Sequence, residues 1–131
     1  MSRSVFNRSR RGIVSIEFGL IGAAFFLLLF ACIDVGRYVA SRTALRAAVS
    51  EAVRGVMTDP SLAVGDAAKN YALARTAILN GAYLTLTASR VEPTASTAGS
   101  VTVNASYVFT FVVPGFPREP MTLNANVTSP I

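Results

Sequence analysis

Side chains able to do chemistry are sparse in this sequence. It has no histidine and one cysteine, Cys32. A Ser-His-Asp or Cys-His arrangement and a histidine-based metal site are therefore excluded. Cys32 has no partner for an intramolecular disulfide or a metal set, and reads as a small apolar filler. Six of the seven acids (Asp34, Glu51, Asp59, Asp66, Glu92 and Glu119) are scattered, with no pair spaced for acid/base work. A glycine-rich phosphate loop is absent. The composition is that of a protein that assembles or binds, not of an enzyme, and it implies no cofactor. The seventh acid is the exception. Glu17 stands inside the apolar run RRGIVSIEFGLIGAAFFLLLFACI. A carboxylate at the middle of a membrane span costs about 2.5–3.5 kcal/mol, and less at the depth of Glu17, about one turn in.

A carboxylate there is either a tolerated shallow acid or half of a charge pair. The arginines beyond the span cannot reach it, and those of the N-terminal tail reach it only if the tail folds back. A cut between Gly12 and Ile13 supplies another cation, the free α-amino group of Ile13. Glu17 lies four residues further on, on nearly the same helix face and about 6 Å along the axis. An Ile13 amine on one subunit paired with Glu17 of a neighbour neutralises both charges in lipid and fixes the axial stagger between them.

The segment that must carry these residues is itself legible. Between Ile13 and Ile33 the only charge is Glu17, and the stretch spans about 31 Å as a helix, close to a bilayer core of about 30 Å. The rest of a 131-residue chain is too small to wrap a helix that is apolar all round, so residues 13–33 read as a transmembrane helix. Its Gly19 and Ala23 form a small-xxx-small pair of the kind that lets helices approach in lipid. The net charge of +5 is concentrated in the tail, where Arg3, Arg8, Arg10 and Arg11 face no acid. Arg8, Arg10 and Arg11 beside a span are a topology signal that places the N-terminus in the cytoplasm and the rest outside. Nucleic-acid binding has no support, because neither stacking aromatics nor further basic clusters accompany the tail. A cleavable secretory signal is disfavoured: the run is too long, Glu17 interrupts it and no A-x-A site follows.

From Asp34 to Val56 there is no proline, and Val35, Val39, Leu45, Val49, Val53 and Val56 recur at spacings dominated by three and four. The pattern predicts one helix from about residue 13 to about 56, its first half in lipid and its second amphipathic, ended by TDPS. Asp34 and Arg37 form an i,i+3 pair at the outer boundary, worth a few tenths of a kcal/mol. A second helix is predicted over about 64–80, with Gly81 as its stop. The period then changes to two. Leu84, Leu86 and Ala88, then the odd positions 101–113, then Met121, Leu123, Ala125 and Val127 alternate with mostly polar neighbours. Three such runs predict a three-stranded antiparallel sheet with one apolar face, the middle run central and the amphipathic helix as cover. The fold class is therefore α+β, divided into a basic leader 1–12, a transmembrane helix 13–33 and an extracytoplasmic domain 34–131.

With these residues in place, a resemblance appears. RRG followed by IVSIEF resembles a type IV prepilin processing site of the tight-adherence (Flp-type) pilus systems: a short basic leader, Gly12 at its last position, Glu17 fifth in the mature chain and an aromatic, Phe18, sixth. The wider pattern resembles the TadE-like pseudopilins, and the run VTVNASYVFTFVVPGFPREPMTLNANVTSP is similar to the end of that family. The resemblance implies cleavage after Gly12 by a prepilin peptidase, and assembly directed by Glu17 and packed by Phe18. It implies as partners other pilins and pseudopilins through the N-terminal helix, the inner-membrane assembly platform and the lipid bilayer. It implies a single-pass protein of a bacterial inner membrane with a periplasmic domain, which can also reach the extracellular fibre. The chain is longer than a major pilin, so the implied role is that of a minor pilin or pseudopilin in adhesion and biofilm formation. The competing reading is an unprocessed single-pass protein whose periplasmic domain binds a partner.

Overall fold

A computed structural model describes the backbone of residues 6–113 and 119–131, and side chains from residue 13 onward within those ranges. Its main feature is helix α1, Phe6–Thr58, 53 residues long and about 80 Å from end to end. No proline interrupts it. It starts earlier than residue 13, so the leader is not wholly irregular. Extending an existing helix costs little when no proline or competing contact stops it. The side chains of Arg8, Arg10 and Arg11, and the surroundings of Gly12, lie outside what the structure describes.

Two environments divide α1. From Ile13 to Ile33 its side chains are exposed or half-buried, with no described element covering them. Among the described side chains of the helix, Asp34 is the first to be buried. Beyond it a stripe at helical spacing turns inward: Ala44, Leu45, Ala48, Val49, Ala52, Val53 and Val56. The helix ends where TDPS predicts. Asp59 leaves helical geometry at φ −132° and ψ 102°, and its carboxylate accepts from the Ser61 amide at 2.9 Å. The Asp59 carboxylate is held below its ordinary pKa by the Ser61 hydroxyl and the Ser61 amide. Arg90, reaching across from the sheet, donates from Nη1 to the carbonyl oxygens of Val56 and Met57 at 3.0 and 3.4 Å. It thus satisfies acceptors that the helix end leaves open.

A 3-10 turn, Pro60–Ala63, leads through Gly65, at φ +59°, to helix α2, Ala67–Leu73. The second helix is thus much shorter than the one predicted over 64–80. Gly65 takes a left-handed backbone that delays its start. At its end the amide hydrogen bonds of Arg75 and Thr76 tighten to i−3, and the Thr76 hydroxyl takes the Ala72 carbonyl at 2.6 Å. Ala68 and Ala72 are its buried residues; Ala74 and Ile78 stay exposed, and Leu79 is buried from the following turn. Gly55 lets α2 approach α1: a Cβ there would stand 2.7 Å from Cε1 of Tyr71.

The sheet has the order β1-β2-β3, all antiparallel, with β1 Leu84–Val91, β2 Ser100–Phe109 and β3 Met121–Pro130. The longest alternating run is central, as its pattern predicts. Registers such as Leu84↔Tyr107↔Leu123 and Leu86↔Ala105↔Ala125 align the apolar face. That face packs on the inward stripe of α1 to form one core, in which Leu45, Val49, Leu84, Val101 and Val103 are almost wholly excluded from water. Burying each such side chain stabilises the fold by about 1.5–3 kcal/mol. β2 stops at Phe109 rather than continuing to 113, and the amides of Val112 and Val113 turn instead to Asp34.

Candidate functional site

The residues predicted to drive assembly sit on the uncovered part of α1. Ile13 is 62% exposed and Phe18 77% exposed, and the Glu17 side chain is exposed between them. The helix carries Ile13 and Glu17 on one side, one turn apart. Among the described residues Glu17 has no ion pair or hydrogen bond, and a Cβ added at Gly19 or Gly22 would meet nothing within 4 Å. Phe25 and Phe26, further along, are exposed and meet edge to face at 5.9 Å. The arrangement is a carboxylate on a bare apolar rod. Any group that neutralises it or covers the rod must come from outside the described fold.

A second constellation, which the sequence reading valued at a few tenths of a kcal/mol, lies where α1 leaves the bare segment. Asp34 does pair with Arg37, at 2.8 Å, but it does more. Its Oδ2 accepts from the backbone amides of Val112 and Val113 at 2.7 and 2.9 Å, 78 and 79 residues away in sequence. The carboxylate, 2% exposed, is thereby saturated with donors. Its pKa is lowered from the ordinary value, chiefly by the Val113 amide, then by the Val112 amide and Arg37, against an opposing push from desolvation. Beside it, Tyr38 packs edge to face on Phe109 at 5.7 Å and stacks on Phe111 at 6.2 Å, with the Arg37 guanidinium 5.6 Å above the Phe109 ring. These contacts fasten the end of β2 to α1 within the first turns beyond the apolar run. A signal was present in the sequence: an acid abutting the apolar run, and an FVVP stretch whose amides follow the end of a strand. Nothing in the spacing of the two joined them.

Further out, Glu51 pairs with Arg54 at 2.6 Å and lies 3.9 Å from Arg75, whose guanidinium covers the Tyr71 ring at 3.7 Å. Glu51 and Arg54 are on α1 and Tyr71 is on α2, so this is a surface brace between the two helices. Among the described residues no group of three His, Cys, Asp or Glu side chains is placed to hold a metal ion, and Cys32 is exposed on the bare part of α1.

The bare rod, its lone carboxylate and the fastened junction all belong to one stretch of α1, and that stretch has known relatives. Residues 12–54 match the family described as TadE-like protein. The TadE-like segment begins at Gly12 and takes in Ile13, Glu17, Phe18, Asp34 and Arg37. It ends at Arg54, just short of the end of α1, so the strand-rich C-terminal run lies outside it. No curated protein and no solved structure matches the chain. Among the described residues, the helix that carries this segment, over Ile13–Thr58, is the one long and apolar enough to cross a membrane.

Proposed function

We propose that this chain is a minor, prepilin-like subunit of a tight-adherence pilus system. It crosses the inner membrane once, with the N-terminus in the cytoplasm and the sheet domain in the periplasm. A prepilin peptidase cuts it after Gly12. Glu17 then pairs with the Ile13 amine of a neighbouring subunit, and Phe18 helps pack the two helices. The major pilin and the inner-membrane assembly platform are the other partners, and the output is surface adhesion and biofilm growth. The observation that carries this reading is the unpartnered Glu17 on an uncovered apolar helix, one turn from the position where a cut would create an amine. The TadE-like match starting at Gly12 supports it.

Mass spectrometry of the N-terminus tests the first step. A mature chain that begins at Ile13 in cells with active peptidase is expected. A chain that keeps Arg3–Gly12 refutes processing and leaves an unprocessed anchor with a periplasmic binding domain. The second step is tested by Glu17→Ala, expected to abolish pilus assembly while insertion and cleavage persist. Normal piliation in that variant reduces Glu17 to a tolerated shallow acid.

A further inference from the structure

The sheet has a second face, turned away from α1. Its outward positions are every second residue of each strand, four on β1 and five on each of β2 and β3. On an ordinary protein surface three or four of them would be charged, at roughly a quarter charged residues. None is. The sole charged residue in the three strands, Arg90, points the other way, to the end of α1.

The face is graded along the strands. Toward one end its hydroxyls are engaged within the sheet: Thr102 and Thr128 share a hydrogen bond at 3.1 Å and Ser89 reaches the Thr102 carbonyl at 3.4 Å. Toward the other end Thr87 still donates to the Asn104 carbonyl at 3.5 Å, but the remaining polar groups are idle among the described residues. The two rows Thr85–Ser106–Asn124 and Thr87–Asn104–Asn126 surround a shallow depression of about 320 Å³. The amides of Asn104, Asn124 and Asn126 and the hydroxyls of Thr85 and Ser106 make no hydrogen bond within the described chain. Each amide offers two donors and an acceptor, and each hydroxyl offers both functions. Neighbouring groups stand about 4.8 Å apart across strands and about 6.8 Å apart along them.

We propose that this face binds an uncharged polysaccharide. The ligand must present donors and acceptors together at close spacing, because the site does. It must be neutral, because no outward position of the three strands is charged, and Arg46 of α1, which shares a separate cavity with Asn124 and Asn126, does not line this depression. It is not a lipid or an aromatic group, because the depression has neither an aromatic platform nor large apolar side chains. Neutral sugar rings, with several hydroxyls each, meet all of these terms, and a linear chain of them can follow the strands beyond the depression. The inference is independent of processing at Gly12.

The test uses the purified full chain in a detergent without a sugar headgroup, which would otherwise compete. Neutral oligosaccharides of glucose and of N-acetylglucosamine are titrated beside an oligouronate, with the side-chain amide NMR signals of the three asparagines as readout. At least one neutral series is expected to shift those signals saturably, and the uronate to leave them in place. Asn104→Ala with Asn126→Ala is expected to weaken binding by about tenfold or more, from two lost sets of hydrogen bonds. Ser100→Ala, outward but at the far end, is expected to leave binding unchanged. Failure of every neutral sugar to bind overturns the proposal. So does equal binding of the uronate, or a double variant that folds and binds as the wild type does. If the double variant does not fold, the wild-type titration alone decides. Self-association through this face without sugar binding also overturns it.

Discussion

Arg90 offers the sharpest test of how the sheet domain is held together. Its guanidinium is 17% exposed, and it caps the far end of α1 through the Val56 and Met57 carbonyls. Replacing it with methionine keeps the stem and removes the charge. The 3.0 Å contact to Val56 is a full hydrogen bond from a charged donor, of a kind worth about 1.5–3 kcal/mol. The 3.4 Å contact to Met57 is long and adds little. A cation at a helix C-terminus contributes about 0.3–1 kcal/mol, and the methionine returns part of the apolar packing. A net loss of about 2 kcal/mol follows. For a folded domain of this size each kcal/mol lowers Tm by about 4–8 °C, so Arg90→Met should melt about 8–16 °C below the wild type. Glu92→Gln separates the cap from the ion pair. Glu92 is 63% exposed, and its pair with Arg90 is of the exposed kind worth about 1 kcal/mol at most. Scanning calorimetry of the full chain in detergent reads both variants. If Arg90→Met melts within about 2 °C of the wild type, or Glu92→Gln loses as much as Arg90→Met does, the capping argument is wrong.

Two further outcomes follow from contacts along α1. The lowered pKa of Asp34 means that its contribution is complete above the ordinary carboxylate value of about 3.9 and is lost as pH falls through the lower folded value. Wild-type Tm should therefore fall with acidification below about pH 4 more steeply than that of Asp34→Asn; parallel curves in thermal scans across pH refute the junction's dependence on this carboxylate. At Gly55, alanine is the better helix former by about 1 kcal/mol, yet its Cβ would stand 2.7 Å from the Tyr71 ring, and overpacking costs about 1–3 kcal/mol. Gly55→Ala should lower the urea midpoint, whereas a rise shows that Tyr71 has room to move.

The sequence was informative wherever one periodicity ran for many residues. The uninterrupted apolar run, the predicted stripe from Leu45 to Val56 and the three alternating strands each follow from side chains that must share a face, whereas Val35 and Val39, read into the same stripe, are exposed. Short-range turn chemistry was read less well. Ala-rich composition over 64–80 suggested a long second helix, but Gly65 at positive φ and the Thr76 hydroxyl on a helix carbonyl limit α2 to Ala67–Leu73. The Asp34 junction was half legible. Its pairing with Arg37 is local and follows from helix spacing, whereas its hydrogen bonds to Val112 and Val113 join chain segments 78 and 79 residues apart. Glu17 is the opposite case. Its oddity is plain in the sequence, and no described residue gives it a partner; in the proposed function that partner belongs to a second molecule.

The unbroken course of α1 links what happens at its two ends. Glu17 and Asp34 are carried on the same helix, about 26 Å apart along its axis, and Asp34 is bolted to the sheet. Each residue advances the helix by about 100° and 1.5 Å, so the whole chain behaves as a camshaft with a fixed phase. In the proposed assembly, the angle at which a neighbour seats on Glu17 sets which flank of the sheet domain that neighbour meets. One residue added between Phe18 and Ile33 would swing the domain by about 100°. Seven would turn it by only about 20° short of full circles while raising it by about 10 Å. The bare rod is in this sense a ruler and a dial, holding height and heading for everything above it.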